Sequence, residues 1–510
     1  MPSRPSFPAL AGLCFTGLLL RVILAVDPAY ADPTAAVEAY PLVINNGRVI
    51  DPETGLDGIR HVGVSEGRIA VVSKTPLSGS VQLDASGLVV APGFIDIHSH
   101  SLTPLGQQRN VLDGVTTQLE TEAGALPAWA AGDSVAAHPL INYGASAGHF
   151  VARLNVIENR SLPYFFYRGE QAGMGFPAFK DVATTAQIES MRGLLVQGLD
   201  EGGLGIGLLL DYMESAVSAE ELVMIFALAG ERKVPVFVHV RRGLPGDPAG
   251  LNEVLRLAET HRAPVFICHI THSAMEGVGD WLATIDAAKQ RGVQVATETL
   301  TYLAGGTSIG ADVFRRRDWR RIFNIDYSDV QWVATGEWLT EARWQQLAAT
   351  QPGGMVNHHY VADDWLLTAL RWPDMMVSTD ALPAFDQRQM TNPNISGSFS
   401  RFLGTYVRDR QLLPLGDALA RTSLKQAQWL ESFAPVFRRK GRLQEGMDAD
   451  ITVFDPKRIA ARADYGRPWE SPEGIRWVLV NGAVTVADGA LVEGIAAGRF
   501  LGARAAERSD

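Results

Sequence analysis

Only two cysteines, Cys14 and Cys268, occur in the 510 residues. Cys14 lies in a segment expected to be removed, which leaves one thiol and no intrachain disulfide, so a disulfide scaffold is excluded. Positive charge is not in excess either. The formal net charge is -11, which removes the electrostatic footprint used to hold nucleic acid or anionic membranes. Beyond the first thirty residues no segment is long and apolar enough to span a bilayer, which takes about 20 clean apolar residues. No Gly-rich phosphate loop follows any strand-like run, and there is neither an internal repeat nor a low-complexity tract. What is present is the balance of an ordinary globular protein, 46% apolar and 20% charged. The length suits a large barrel with an accessory domain.

Residues 1–31 read as a signal peptide. Arg4 supplies a short basic region, residues 10–26 are largely apolar, and Ala29-Tyr30-Ala31 has the small-x-small form of a peptidase site. Arg21 interrupts the apolar run, which argues against a membrane-spanning helix. The expectation is export, to the periplasm, with cleavage after Ala31.

Residues 40–91 show short strands and turns. Leu42-Val43-Ile44, then Asn45-Asn46-Gly47, then Arg48-Val49-Ile50 is a strong hairpin pattern. Strand and turn signals return over residues 441–498, so one β-sandwich assembled from both termini is expected. Between them, residues 92–433 change character. Apolar strand-like runs recur at 93–97, 115–119, 140–143, 205–210, 236–240, 265–269, 293–297 and 375–378, with helical stretches such as 219–231 and 250–261 between them. Buried parallel strands alternating with helices indicate an α/β fold of the (β/α)8 TIM-barrel type, with a doubly wound sheet as the alternative. Residues 304–351, rich in Arg, Asp and Trp, read as an insertion that could act as a lid.

The chemistry-bearing residues fall at the ends of these strands. His98 and His100 follow the first. Residues two apart on a strand point to one side, so both imidazoles can grip one metal. Glu120 and Glu122 end the second, His239 and His269 end two later ones, and Asp380 follows the last. A TIM-barrel active site lies at this C-terminal face. A single histidine there is usually structural. Four histidines with two placed carboxylates are not explained by packing, because burying such groups costs several kcal/mol unless they are paired or metal-bound. Nitrogen and oxygen ligands favour Zn²⁺, with Mn²⁺, Co²⁺ and Fe²⁺ compatible. The metal would lower the pKa of a bound water to about 7, and Asp380 would take its proton and return it to a leaving amine.

The chain resembles the N-acyl-D-amino-acid deacylase branch of the amidohydrolase superfamily, from about residue 42 to 498. The likeness is carried by APGFIDIHSH ending at His100, DGVTT from Asp113, FVHVR ending at Arg241, FICHI around His269, MVSTDALP around Asp380, GSFSRFLGTYVR ending at Arg408, and EGMDADITVFDP with SPEGIRWVLVNG near the C-terminus. The resemblance implies one or two metal ions and a small-molecule substrate. His98 and His100 would hold the more exposed ion, His239 and His269 the tighter one, and Asp380 would be the catalytic acid/base. It also implies a Cys or Glu after the second strand. The Cys position is Ala123, and Glu122 fits the Glu version, with Glu120 as the runner-up. Tyr302 and Ser308 match substrate-contact positions.

Two departures concern the family's carboxylate-binding cations. The Lys position is Thr271, and the HPR triplet reads Asn392-Pro393-Asn394. A bidentate Arg gives a carboxylate charge-assisted hydrogen bonds worth about 1.5–3 kcal/mol that Thr and Asn cannot supply. Arg241, Arg242 and Arg388 are the candidate replacements. His272, His358 and His359 are read as supporting or lid residues. The expected activity is hydrolysis of the amide of an N-acyl amino acid or a related acyl-amide or dipeptide. Hydrolysis of a lactone, cyclic imide or carbamate, or deamination of a ring, on the same site is the alternative. A non-catalytic binding protein is the remote one, and it would require loss of a ligand or of Asp380.

Overall fold

The computed structural model describes residues 40–166, 177–316 and 318–503. The expected signal peptide and Cys14 lie outside them.

Eight parallel strands form the centre, in the order they occur in the chain: β1 (Phe94–Asp96), β2 (Val115–Ala125), β3 (Asn142–Gly148), β4 (Ile206–Leu208), β5 (Val236–Val238), β6 (Val265–Ile267), β7 (Val295–Thr299) and β8 (Met376–Val377). Just beyond β8 the chain returns to β1. Asp380 donates its backbone N–H to the His98 carbonyl at 2.8 Å, and His100 donates to the Ala381 carbonyl at 3.0 Å. Thr379 adds its N–H and hydroxyl to the Asp96 carboxylate, at 3.0 and 2.6 Å. The barrel is thus joined at the edge where its site lies.

Alternation along the strands divides the apolar residues. Ile95, Leu119, Phe237, Phe266, Cys268, Ala296 and Met376 form one interior cluster, while Val236, Val238, Val265, Ile267 and Val295 pack with the helices. Helices follow most strands. Helix Ala219–Arg232 shows why: the Ser218 side chain accepts from the Glu221 N–H, Glu220 and Glu221 occupy the positive first turn, and Lys233 closes the helix in a left-handed conformation. Its apolar face of Leu222, Ile225, Phe226 and Ala229 is buried in the core. The cap is worth about 1 kcal/mol.

Both termini build a second, nine-stranded sheet, joined where Ile451–Phe454 runs antiparallel to Val89–Pro92. The hairpin expected at Asn45-Asn46-Gly47 is not formed. Tyr40–Asp51 is one continuous strand with an irregularity between Ile44 and Gly47. Gly47 lies so close to Val90 that a Cβ would stand 2.4 Å from its side chain, so tertiary packing overrides the local turn signal. The turn falls after Asp51, whose carboxylate accepts from the N–H and hydroxyl of Thr54. The two sheets are tied through Thr452, which donates to the Gly114 carbonyl at 2.7 Å, and Asn142, which donates to Asp450 at 3.1 Å.

Between β7 and β8 the insertion extends further than the sequence indicated. Ala304–Ser308, Val330–Trp332, Glu337–Trp338 and Met355–His359 make a four-stranded sheet, with Phe314, Trp319 and Trp344 packed in ring contact beside it. Among the described residues no helix is long and apolar enough to cross a membrane.

Candidate metal centre

The histidines and carboxylates expected from the sequence converge at the C-terminal ends of the strands. Glu122, near the end of β2, stands between two imidazole pairs. Its Oε1 lies 2.9 Å from His269 Nε2 and 3.0 Å from His239 Nδ1. Its Oε2 lies 3.5 Å from His98 Nε2 and 3.4 Å from His100 Nε2. Asp380 Oδ1 completes the second group, 3.5 Å from His98 Nε2 and 3.2 Å from His100 Nε2, which are themselves 3.4 Å apart. Zinc–ligand distances of about 2.0–2.1 Å in a tetrahedron place neighbouring donors about 3.3 Å apart. The donors of His98, His100, Glu122 and Asp380 match that spacing. Those of Glu122, His239 and His269 form a slightly tighter triangle, closed by a His239–His269 distance of 3.0 Å. The donor set therefore fits one or two divalent ions, with Glu122 between them.

Glu120 takes a different place. Its carboxylate lies behind His100, 2.8 Å from Nδ1, and accepts the Tyr164 hydroxyl at 2.6 Å and the Ala123 N–H at 3.1 Å. His98 has a matching support that sequence reasoning missed. Glu298 lies 3.0 Å from His98 Nδ1, accepts the His269 N–H at 2.5 Å, and accepts the Ser378 hydroxyl at 2.6 Å. Ser273 Oγ stands 3.1 Å from His269 Nδ1, and Asp211 Oδ2 lies 3.8 Å from His239 Nε2. Such outer partners fix which ring nitrogen faces inward.

Two site residues have strained backbones. His269 and Asp380 have φ of 34° and 46°, in the left-handed region that non-glycine residues seldom occupy. Strict alternation from Phe266 and Cys268, both in the interior cluster, would turn residue 269 outward. The left-handed conformation brings its imidazole into the barrel mouth.

Charge follows from the same contacts. Burial opposes ionisation of Glu122 and Asp380, but the neighbouring imidazoles outweigh it and hold both carboxyls below the ordinary range. Burial likewise opposes protonation of His98 and His100. Asp380 and Glu122 around the first, and Glu120 and Asp380 around the second, raise both well above 6.5. His239 behaves oppositely: burial, with His269 beside it, pushes it down to about 4.

The four expected substrate contacts have other partners. Tyr302 donates its hydroxyl to the Ala463 carbonyl at 2.9 Å, and Ser308 to that of Pro352 at 2.7 Å. Arg241 is paired with Glu253 and the carbonyls of Glu214 and Val217. The Arg388 side chain is 90% exposed and pairs with Asp386. Arg242 is buried and bound to Asp211 through its backbone N–H and Nε, each at 2.9 Å. Where the family carries cations, the Thr271 hydroxyl lies 2.7 Å from that of Thr299, and Asn394 donates to the Thr379 carbonyl at 2.8 Å. His272 is buried between His269 and Tyr360, with burial and then His269 pushing it down to about 3. His358 sits among Phe314, Phe323 and Tyr360, and His359 lies against Trp338 and Tyr465.

No family model matches the chain. It is 28% identical over 494 residues to a D-aminoacylase of Alcaligenes xylosoxydans xylosoxydans, covering 92% of this chain and 99% of that one. It is also 28% identical over 475 residues to an N-acyl-D-glutamate deacylase of the same organism, covering 87% and 93%. Among solved structures, the N-acyl-D-glutamate deacylase of Bordetella bronchiseptica, complexed with zinc and a phosphonate that mimics the tetrahedral intermediate, superposes with a TM-score of 0.73. That match has 26% identity and covers 91% of this chain and all of that one.

Proposed function

We propose, for a chain that is a homologue of the N-acyl-D-amino-acid deacylases of the amidohydrolase superfamily, that it is a metal-dependent hydrolase cleaving the amide bond of an N-acyl amino acid or a related small acyl-amide or dipeptide. The observation that carries this reading is Glu122 standing between two imidazole pairs with Asp380 closing one of them. His98, His100, Glu122 and Asp380 would hold one zinc ion, and Glu122, His239 and His269 another. When bound, the metal supplies a water of lowered pKa and polarises the substrate carbonyl.

The chain's own residues do the rest. Glu298 and Glu120 accept from the Nδ1 atoms of His98 and His100, which leaves each Nε2 lone pair facing inward. Asp380 is held ionised, as a general base requires, and accepts the proton of the attacking water. It then returns that proton to the departing amine nitrogen. Its backbone is fixed by the hydrogen bond to His98, which keeps residue 380 beside the imidazoles. Tyr212, with its ring 4.7 Å from that of His239, covers the other flank.

The test is amine release from a panel of N-acyl amino acids by protein stripped of metal and then reloaded with zinc. The reading requires release that disappears on stripping and returns on reloading. Hydrolysis of lactones or esters with no amide cleaved across the panel would contradict it. One observation favours that second reading, on a lactone, cyclic imide or carbamate: neutral Thr271 and Asn394, each tied to a neighbour, stand where a carboxylate clamp would be.

Export to the periplasm completes the proposal. It is supported by the basic, apolar and Ala29-Tyr30-Ala31 segments of residues 1–31. N-terminal sequencing of protein from a periplasmic extract should begin at Asp32. Protein retained in the cytoplasm with Met1 intact would contradict it.

A further inference from the structure

In the group of His98, His100, Glu122 and Asp380, each imidazole has a carboxylate behind it, and each carboxylate has a hydroxyl. For His98 the carboxylate is Glu298 and the hydroxyl is that of Ser378, one residue beyond β8. For His100 they are Glu120 and Tyr164, and Tyr164 belongs to none of the barrel strands. It lies between helix His149–Glu158 and β4, 44 residues beyond Glu120. The chain there runs along the end of β2. Leu126 donates its N–H to the Pro163 carbonyl at 2.9 Å, and Ala125 and Tyr164 form an antiparallel bridge. Since β2 also carries Glu120, one strand places both the carboxylate and the hydroxyl that reaches it.

The Tyr164 hydroxyl has one proton and two acceptors in reach. Glu120 Oε2 is 2.6 Å away and the His100 carbonyl 3.3 Å, so the proton goes to the carboxylate, at the short distance of a charge-assisted O–H···O bond. The same Oε2 lies 2.8 Å from His100 Nδ1, and Oε1 accepts the Ala123 N–H at 3.1 Å. Tyr164 and Ala123 thus hold the carboxylate from two sides, and the carboxylate holds the His100 ring with Nε2 turned to the other donors. Tyr164 and Glu120 are both buried, so bulk water does not make up for a bond lost there. The same stretch of chain touches His100 a second way: the Phe166 ring lies 4.7 Å from the imidazole. That contact is packing alone and does not pass through Glu120.

We infer that Tyr164 is a positioning residue for the metal position of His98, His100, Glu122 and Asp380. Its hydroxyl fixes Glu120, Glu120 fixes the His100 ring, and the ring sets how tightly that position holds a divalent ion. This rests on the metal-centre reading above. The role belongs to the one oxygen of the side chain. The ring has a separate task, packing with Leu102, Ala125 and Ala128 in a small apolar cluster. Among the described residues Glu120 is bonded to neither His239 nor His269, so the second donor group stands outside this chain of contacts.

The test is zinc titration against a chromophoric chelator, on the parent, Tyr164→Phe, Glu120→Gln and the double variant. Tyr164→Phe removes one oxygen and keeps the ring, so the metal-free variant should unfold within about 3 °C of the parent. The zinc that Glu120→Gln weakens should be weakened by Tyr164→Phe as well, by about 3–10-fold. The hydroxyl stands one contact further out than the partners whose loss costs about 10–100-fold. Any other bound zinc should change by less than about twofold. Added to Glu120→Gln, Tyr164→Phe should cost less than about twofold more, because a neutral amide makes a weaker bond to the hydroxyl than a carboxylate does. Equal losses with and without Glu120→Gln, or equal losses at two zinc positions, would make Tyr164 a structural part of the fold only and overturn the inference. Unchanged affinity in Tyr164→Phe overturns it too and leaves the metal-centre reading intact. A parent protein that takes up no zinc overturns that reading itself.

Discussion

Asp380 and His98 are bound twice: the Asp380 N–H donates to the His98 carbonyl at 2.8 Å, and the Asp380 carboxylate lies 3.5 Å from His98 Nε2. The bond that joins the last strand of the barrel to the first therefore also sets the acid/base group against the first metal-binding imidazole. Fold closure and site geometry are one constraint at this point, which accounts for the left-handed backbone of Asp380.

The carboxylates of β2 have separable roles. Glu122→Gln should leave one neutral oxygen where both groups share a two-oxygen carboxylate, so the variant should lose zinc on dialysis. Glu120→Gln should keep bound zinc but weaken it by about 10–100-fold, because Glu120 acts through His100. Zinc content after dialysis at graded metal concentrations checks both. Retention by Glu122→Gln with loss from Glu120→Gln would reverse the assignment.

Glu298 supports two parts of the site at once, His98 through Nδ1 and His269 through its backbone N–H. Glu298→Gln should weaken zinc at both positions, and Ser378→Ala, which removes only the hydroxyl donor to Glu298, should act in the same direction but less. Parallel chelator titrations of the two variants check the ranking. A Ser378→Ala effect as large as that of Glu298→Gln would contradict it.

Much of this arrangement is legible in the sequence. His98, His100, His239, His269 and Asp380 each follow an apolar run, and their order along the chain is the order of the strands. Glu298 escaped because β7 ends later than its apolar residues suggest. The run reads as ending at Thr297, which leaves Glu298 and Thr299 to the loop, yet both are buried strand residues. β3 was shifted for a related reason. Residues 142–148 carry mostly small and polar side chains, and what makes them a strand is close approach to β2, not hydrophobicity. Asp211 and Arg316 were invisible to pattern reasoning because their pairing spans 105 residues of chain.

That close approach gives a stability prediction of opposite signs. Gly124, two residues beyond Glu122, has φ of 64°, and a Cβ there would stand 2.7 Å from the Gly148 backbone. Gly124→Ala should cost about 1–3 kcal/mol through strain and overlap. Gly193, in helix Thr185–Asp200 with nothing within 4 Å of a Cβ, should gain up to about 1 kcal/mol as Ala. Thermal unfolding of both zinc-loaded variants beside the parent checks the pair. A neutral Gly124→Ala would show that β2 and β3 can move apart.

His358 gives the pH dependence. Burial first, then the charges of Arg242, His272 and His359, hold its pKa well below 6.5, and both ring nitrogens are buried. The unfolded chain therefore binds the proton that the folded chain refuses. Stability contributed by neutral His358 is present above pH 6.5 and is lost as pH falls below that value. His358→Phe, which keeps the aromatic packing against Phe314, Phe323 and Tyr360, should lose less stability than the parent between pH 7 and pH 5. Melting temperatures of the two at both pH values check this. Equal losses would mean that His358 takes up a proton without unfolding.

The central claim is that Asp380 moves the proton in a metal-dependent hydrolysis, and Asp380→Asn tests it most directly. Amine release from an N-acyl amino acid cleaved by the parent enzyme is measured beside the zinc content of the same sample. Asn keeps an oxygen where Asp380 Oδ1 stands but cannot accept the proton, so turnover should fall by about 10²–10⁴-fold with zinc still bound. Unchanged turnover in the zinc-loaded variant would contradict the account.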